Sequence, residues 1–215
     1  MNDTVIVIME WIGTVAFAVS GALIALARGL DLFGVIFVGC ITSVGGGILR
    51  DVLMGQVPPS IFSNPLVLAL AALTSLLVFI VSYLKRKSFG DFKKRLEIVN
   101  NYFDAVGLAV FTVIGVEKTF AAGFSGRFVF AVCMGMLTGV GGGLLRDILV
   151  DQTPSVLKKH VYAVASLAGA CVYYAAERCF DKTVSVLVSV TIIILIRLLA
   201  TKFRWRLPRI DFDQG

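Results

Sequence analysis

Charge is scarce in this chain: only 16% of its 215 residues are Asp, Glu, Lys or Arg, against about 25% in a soluble domain. Histidine occurs once, and the four cysteines form no CxxC pair and have no histidine at ligand spacing. The usual structural-zinc and dithiol patterns are therefore absent, so Cys40, Cys133, Cys171 and Cys179 read as small packing residues. There is no HExxH pair and no serine-histidine couple, so no catalytic residue, resident metal or cofactor is expected and the chain does not read as an enzyme. The Walker spacing GxxxxGK[ST] is missing as well, which excludes a phosphate loop. No Lys or Arg precedes Arg28, so the basic start of a cleavable signal peptide is lacking and the first apolar stretch reads as a retained helix.

What is abundant is apolar length. The chain is 58% hydrophobic with a mean hydropathy of +0.90, and a bilayer core takes about 20 apolar residues per helix. That rule gives seven spans, near 5–27, 33–54, 65–84, 102–122, 128–150, 161–180 and 183–200. The longest polar connection, 85–101, is basic and divides the chain into 1–84 and 102–180, leaving 181–215 as a seventh helix with a basic tail. The net charge of +6 follows topology rather than a nucleic-acid partner. One side collects 13 Lys and Arg: Arg28, the cluster Lys85 to Arg95, Lys158, Lys159 and the tail; the other side has Lys118, Arg127, Arg178 and Lys182. The positive-inside rule then puts the N-terminus outside and the C-terminus in the cytoplasm.

An offset of 96 aligns Thr42–Pro58 with Thr138–Pro154, with 11 of 17 positions identical, including Val-Gly-Gly-Gly and Leu-Arg-Asp. With a shift of two residues the first helices align too, placing Glu10, Gly13 and Gly21 on Asp104, Gly107 and Gly115. A duplicated three-helix unit explains this. Because three is odd, the second copy enters the membrane from the opposite side, so the repeats are inverted. The expected fold is all-α and membrane-embedded, two inverted three-helix repeats plus a seventh helix.

The glycine runs Gly45, Gly46, Gly47 and Gly141, Gly142, Gly143 fall near the bilayer midplane. Each glycine costs about 1 kcal/mol relative to alanine in a helix, so the middle helix of each repeat is expected to kink or unwind there. Close packing through small-xxx-small spacing is the other reading. Arg50, Asp51, Arg146 and Asp147 follow at roughly 10 Å from the midplane, where ionisable groups face a cavity or each other. They read as a charged gate or pathway, or as structural pairs. Thr42, Ser43 and Thr138 offer hydroxyl oxygens beside the glycines, and Glu10 with Asp104 are weaker pathway positions at helix starts. His160 reads as a solvated interfacial residue, and Arg197 as a snorkelling one without function. A retinal protein is excluded, since 183–200 holds no lysine for a Schiff base.

The doubled GGG-x-x-RD signature, with seven spans and a basic central loop, resembles the prokaryotic branch of the trimeric intracellular cation (TRIC) channel family, whose bacterial sequences are also described as a glycine-transporter domain. The resemblance runs from about Glu10 to Ala200. It implies a homotrimer in a bacterial inner membrane, with lipid around it and one K⁺ or Na⁺ path per protomer lined by the kinked second and fifth helices. The glycines and Arg-Asp pairs named above are the implicated positions. The lysine-glutamate-valine motif of animal members is absent, since Arg146-Asp147 stands there. A secondary transporter of a small zwitterion such as glycine is the alternative, because inverted repeats with broken helices also build midplane substrate sites.

Overall fold

The computed structural model describes residues 2–84, 92–158, 161–203 and 205. Lys85, Arg86, Lys87, Lys159, His160, Arg204, Arg206 and Arg209 lie outside the described residues, as do the side chains of Lys93, Lys94, Arg95 and Lys158.

Among the described residues the chain is all-helical: α1 Asn2–Ala27, α2 Leu32–Leu53, α3 Pro65–Leu84, α4 Phe92–Thr119, α5 Phe128–Leu149, the one-turn α6 Ser155–Lys158, α7 Tyr162–Ala176 and α8 Lys182–Lys202. Six of them, α1 to α5 and α8, are long and apolar enough to cross a bilayer. The helix expected over 161–180 is shorter, with 15 residues in α7. In contrast α4 starts at Phe92, ten residues before its apolar stretch, because no proline or glycine in Lys93 to Asn101 breaks a helix.

Local chemistry sets the C-terminal ends of α2 and α5 alike, while their starts differ, Arg127 before α5 making no side-chain cap. Asp31 caps α2 by accepting from Gly34 N at 2.8 Å. After α2, Gly55 takes φ +75° and Gln56 N donates to Asp51 O at 2.8 Å; after α5, Asp151 takes φ +51° and Gln152 N donates to Asp147 O at 3.0 Å. Both are left-handed helix stops, and they account for part of the shared sequence that follows the arginines.

α4 lies at the centre, packed against α1, α5, α7 and α8, whereas α3 is buried over only 17% of its apolar window. α1 and α4 run antiparallel: Phe17 stacks on Phe111 with ring centroids 5.3 Å apart, and Gly107 faces Phe17 while Gly13 faces Phe111. α2 and α5 cross in the same reciprocal way, Gly45 meeting Leu145 and Gly141 meeting Leu49. Such reciprocity is what a two-fold relation between the halves produces. α8 breaks it, since it packs mainly on α4 and α7 and so shields the second repeat.

Candidate functional site

The glycine runs meet at the crossing of α2 and α5. Both helices continue through them without an unwound turn, and the glycines serve as a contact surface. A Cβ on Gly46 would strike the carbonyl of Thr138, and one on Gly142 the carbonyl of Thr42. The backbones approach that closely because neither residue has a side chain. The small hydroxyls are committed as well: Thr42 Oγ1 donates to Val38 O at 2.6 Å, Thr138 Oγ1 to Met134 O at 2.6 Å, and Ser43 Oγ lies 3.0 Å from both Thr14 O and Gly39 O. All three are buried. The two helices are therefore in backbone contact at this crossing.

The Arg-Asp pairs lie on opposite sides of this crossing and are built on one plan. Arg50 Nε and Nη2 donate to Asp51 Oδ1 at 2.9 and 2.6 Å, and Asp51 Oδ2 accepts from Ser60 N at 2.9 Å and Ser60 Oγ at 2.7 Å. Arg146 Nε and Nη2 each reach Asp147 Oδ1 at 2.8 Å, while Ser155 N donates to Asp147 Oδ2 at 2.5 Å. Each aspartate thus neutralises the arginine before it and pins the loop after it. Arg50 is 4% exposed and Arg146 1%, so neither snorkels. Charges buried this deeply persist only when paired and hydrogen-bonded.

Beyond that plan the two ends diverge. Arg146 Nη1 also donates to Asp104 Oδ1 at 2.9 Å and to Ser20 Oγ at 2.6 Å, and Tyr162 OH donates to Asp104 Oδ1 at 3.2 Å. Arg197 Nη2 approaches Asp104 Oδ2 at 3.4 Å and Asn101 Oδ1 at 3.3 Å, with its guanidinium 4.5 Å above the Tyr162 ring. Two arginines and two aspartates form a sealed, neutral knot. Arg197, 2% exposed, points inward rather than snorkelling. The sequence signal for it is an arginine inside the apolar run Val184–Ala200, on the same side as the buried acid Asp104, but which pairs meet across separate helices is not written in either segment. Glu117 on α4 is a second residue without a sequence-level role; it accepts from Tyr173 OH at 2.8 Å and pairs with Lys182, tying α8 to the second repeat at the other end.

At the Arg50 end there is instead a cavity of about 90 Å³, walled by Glu10, Ser43, Gly47, Arg50, Asp51 and Lys118 and open towards the exposed Ser60 and Asn64. It has room for several waters or a hydrated ion that has shed part of its shell. Among the described residues no group of three or more His, Cys, Asp or Glu side chains is arranged to hold a metal. In all, the structure unites Arg146, Asp147 and Asp104 in the knot, unites Arg50, Asp51 and Glu10 on the cavity wall, and places the two glycine runs between them.

The family model described as "Glycine transporter" matches residues 7–83 and 101–178, one block on each repeat. The chain is 37% identical over 210 residues to the UPF0126 inner membrane protein YadS of Escherichia coli (strain K12), covering 96% of this chain and 97% of that one. It is similar to the structure of the TRIC trimeric intracellular cation channel orthologue from Rhodobacter sphaeroides, with TM-score 0.84, 28% identity, and 94% of this chain and 100% of that one covered. A prokaryotic TRIC channel in 0.5 M KCl gives TM-score 0.84 and 31% identity over 95% of this chain and 99% of that one. With two halves matched separately by one family model described as "Glycine transporter" and 94–95% of the chain matching these structures, this multi-pass membrane protein belongs to the TRIC channel family.

Proposed function

We propose that the protein is a monovalent cation channel for K⁺ and Na⁺, assembled as a homotrimer with one path per protomer along α2 and α5. The observation that carries this reading is the sequence of features along one line: a polar cavity at Glu10, Arg50 and Asp51, the glycine crossing, then the knot around Arg146. A channel needs a polar route with a closable constriction, and this line has a mouth open at one end and a closure at the other. Because each arginine is neutralised by the aspartate beside it, the route does not carry the repulsion that unpaired arginines would impose on a cation. Opening bends or separates α2 and α5 at Gly45 to Gly47 and Gly141 to Gly143 and releases Arg146 from Asp104. With the N-terminus outside, the orientation that the excess of basic residues at the other face supports, the cavity faces the periplasm and the knot the cytoplasm of a bacterial inner membrane.

Purified protein in planar bilayers tests this. Unitary steps whose reversal potential follows K⁺ in a KCl gradient are expected, and a reversal potential that follows Cl⁻ would sink the cation assignment. A secondary transporter of a small zwitterion is the second reading, favoured by the same arrangement of one open and one closed end around a two-fold. Saturable uptake of labelled glycine into vesicles without unitary steps decides for it.

A further inference from the structure

The repeats place an acid at matching positions of their first helices, yet the two acids differ in what surrounds them. Asp104 is fully buried and accepts from Arg146, Arg197 and Tyr162. Glu10 is half-buried on the cavity wall, and its carboxylate makes no hydrogen bond or ion pair with any described residue. Two features of the fold produce the difference. Arg50 is already matched by Asp51, whose second oxygen is taken by Ser60. And α8, which brings Arg197 to Asp104, packs on the second repeat, so no arginine from outside the repeat reaches Glu10. The other charge on the cavity wall without a partner among the described residues is Lys118, near the end of α4, which is half-buried and forms no ion pair with Glu10.

Resting on the channel reading above, we infer that Glu10 is the residue that selects the charge of the entering ion at this mouth, with Lys118 acting against it. An unpaired carboxylate on a partly enclosed, low-dielectric wall raises the local concentration of cations, because the field is focused into the cavity rather than dissipated in bulk water. The ammonium on the same wall subtracts from that field, so the balance of the two sets the throughput. Asp51 cannot take this part, as both its oxygens are engaged. The effect belongs to one mouth: ions entering from the knot end meet charges that are already paired.

The test compares wild type, Glu10→Gln and Lys118→Gln in planar bilayers at low salt and at about 1 M KCl, where the Debye length falls to about 3 Å. At low salt Glu10→Gln lowers the unitary K⁺ conductance about fourfold, the factor a unit charge in water some 5 Å from the ion would give. It also moves the reversal potential in a KCl gradient towards that of Cl⁻. Lys118→Gln does the opposite on both counts, and both effects shrink at about 1 M. Wild-type currents that Glu10→Gln leaves unaltered at low salt overturn this inference alone, as does a loss of conductance that persists undiminished at high salt. Should Glu10→Gln fail to fold, Lys118→Gln decides through the opposite charge, and unaltered conductance there is equally fatal. A wild type without unitary currents overturns the channel reading and this inference together.

Discussion

Two neighbouring glycines of α2 do different physical work, which one substitution at each can separate. Gly46 sits against the Thr138 carbonyl, where backbone on both sides leaves no room for a methyl group, whereas a Cβ on Gly47 would face the cavity with Arg50 Nη2 its nearest neighbour at 3.7 Å. Gly46→Ala is therefore expected to force α2 from α5 and cost about 1–3 kcal/mol, the usual range for overpacking. Gly47→Ala keeps the contact and gains helix propensity of about 1 kcal/mol. Thermal unfolding in detergent checks the pair: a lowered midpoint for the first variant and an equal or raised one for the second. Equal destabilisation by both would mean that the glycines are needed for backbone freedom rather than for approach. The repeat made both runs visible in sequence, where small-residue spacing offered packing as the alternative to a kink. What the string of letters does not contain is which glycine of each run meets the partner backbone, because that depends on the rotation of two helices set by contacts along their whole length.

At the scale of the element, α8 is more than an appendage to a six-helix repeat. It contributes Arg197 to the knot at one end and Lys182 to Glu117 at the other, and so gives the second repeat partners that the first does not have. The spans themselves were legible because apolar runs of bilayer length are a strong local signal, with α7 shorter than expected and α4 longer. The pairing of Arg146 with Asp104, 42 residues away, and of Arg197 with the same acid was not, since each ion pair is formed by helices that share no sequence pattern. Arg197→Met removes the charge while retaining an unbranched chain of similar length. Asp104 keeps Arg146 and Tyr162, so the knot is weakened rather than abolished. A hydrogen bond to a charged group contributes about 1.5–3 kcal/mol, and every 1.4 kcal/mol is tenfold in an equilibrium. If the knot is the closure, open probability in bilayers rises by about tenfold or more with unitary conductance unaltered. Unchanged open probability in a correctly folded variant would make Arg197 a structural residue only.

For the whole molecule the decisive property is that the two ends are chemically different although the repeat would make them alike. The open cavity and the sealed knot face opposite sides of the membrane, so orientation determines which solution reaches the cavity. Positive-inside reasoning assigns the cavity to the outside, and much of that charge count comes from residues flanking the spans rather than from the packed core. Two surface positions report on it in a chain from which Cys40, Cys133, Cys171 and Cys179 have been replaced. Gly126 lies in the turn between α4 and α5 at the cavity end, where an added Cβ would meet nothing within 4 Å, and Thr153 lies exposed in the turn after α5 at the knot end. A membrane-impermeant maleimide added to intact cells should label Gly126→Cys directly and Thr153→Cys only after permeabilisation. The reverse pattern would place the knot outside, and Glu10 would then face the cytoplasm and act on ions leaving the cell. Labelling of both positions in intact cells would indicate dual insertion, in which case the same protein presents its cavity to either solution and any rectification arising from Glu10 cancels across the population.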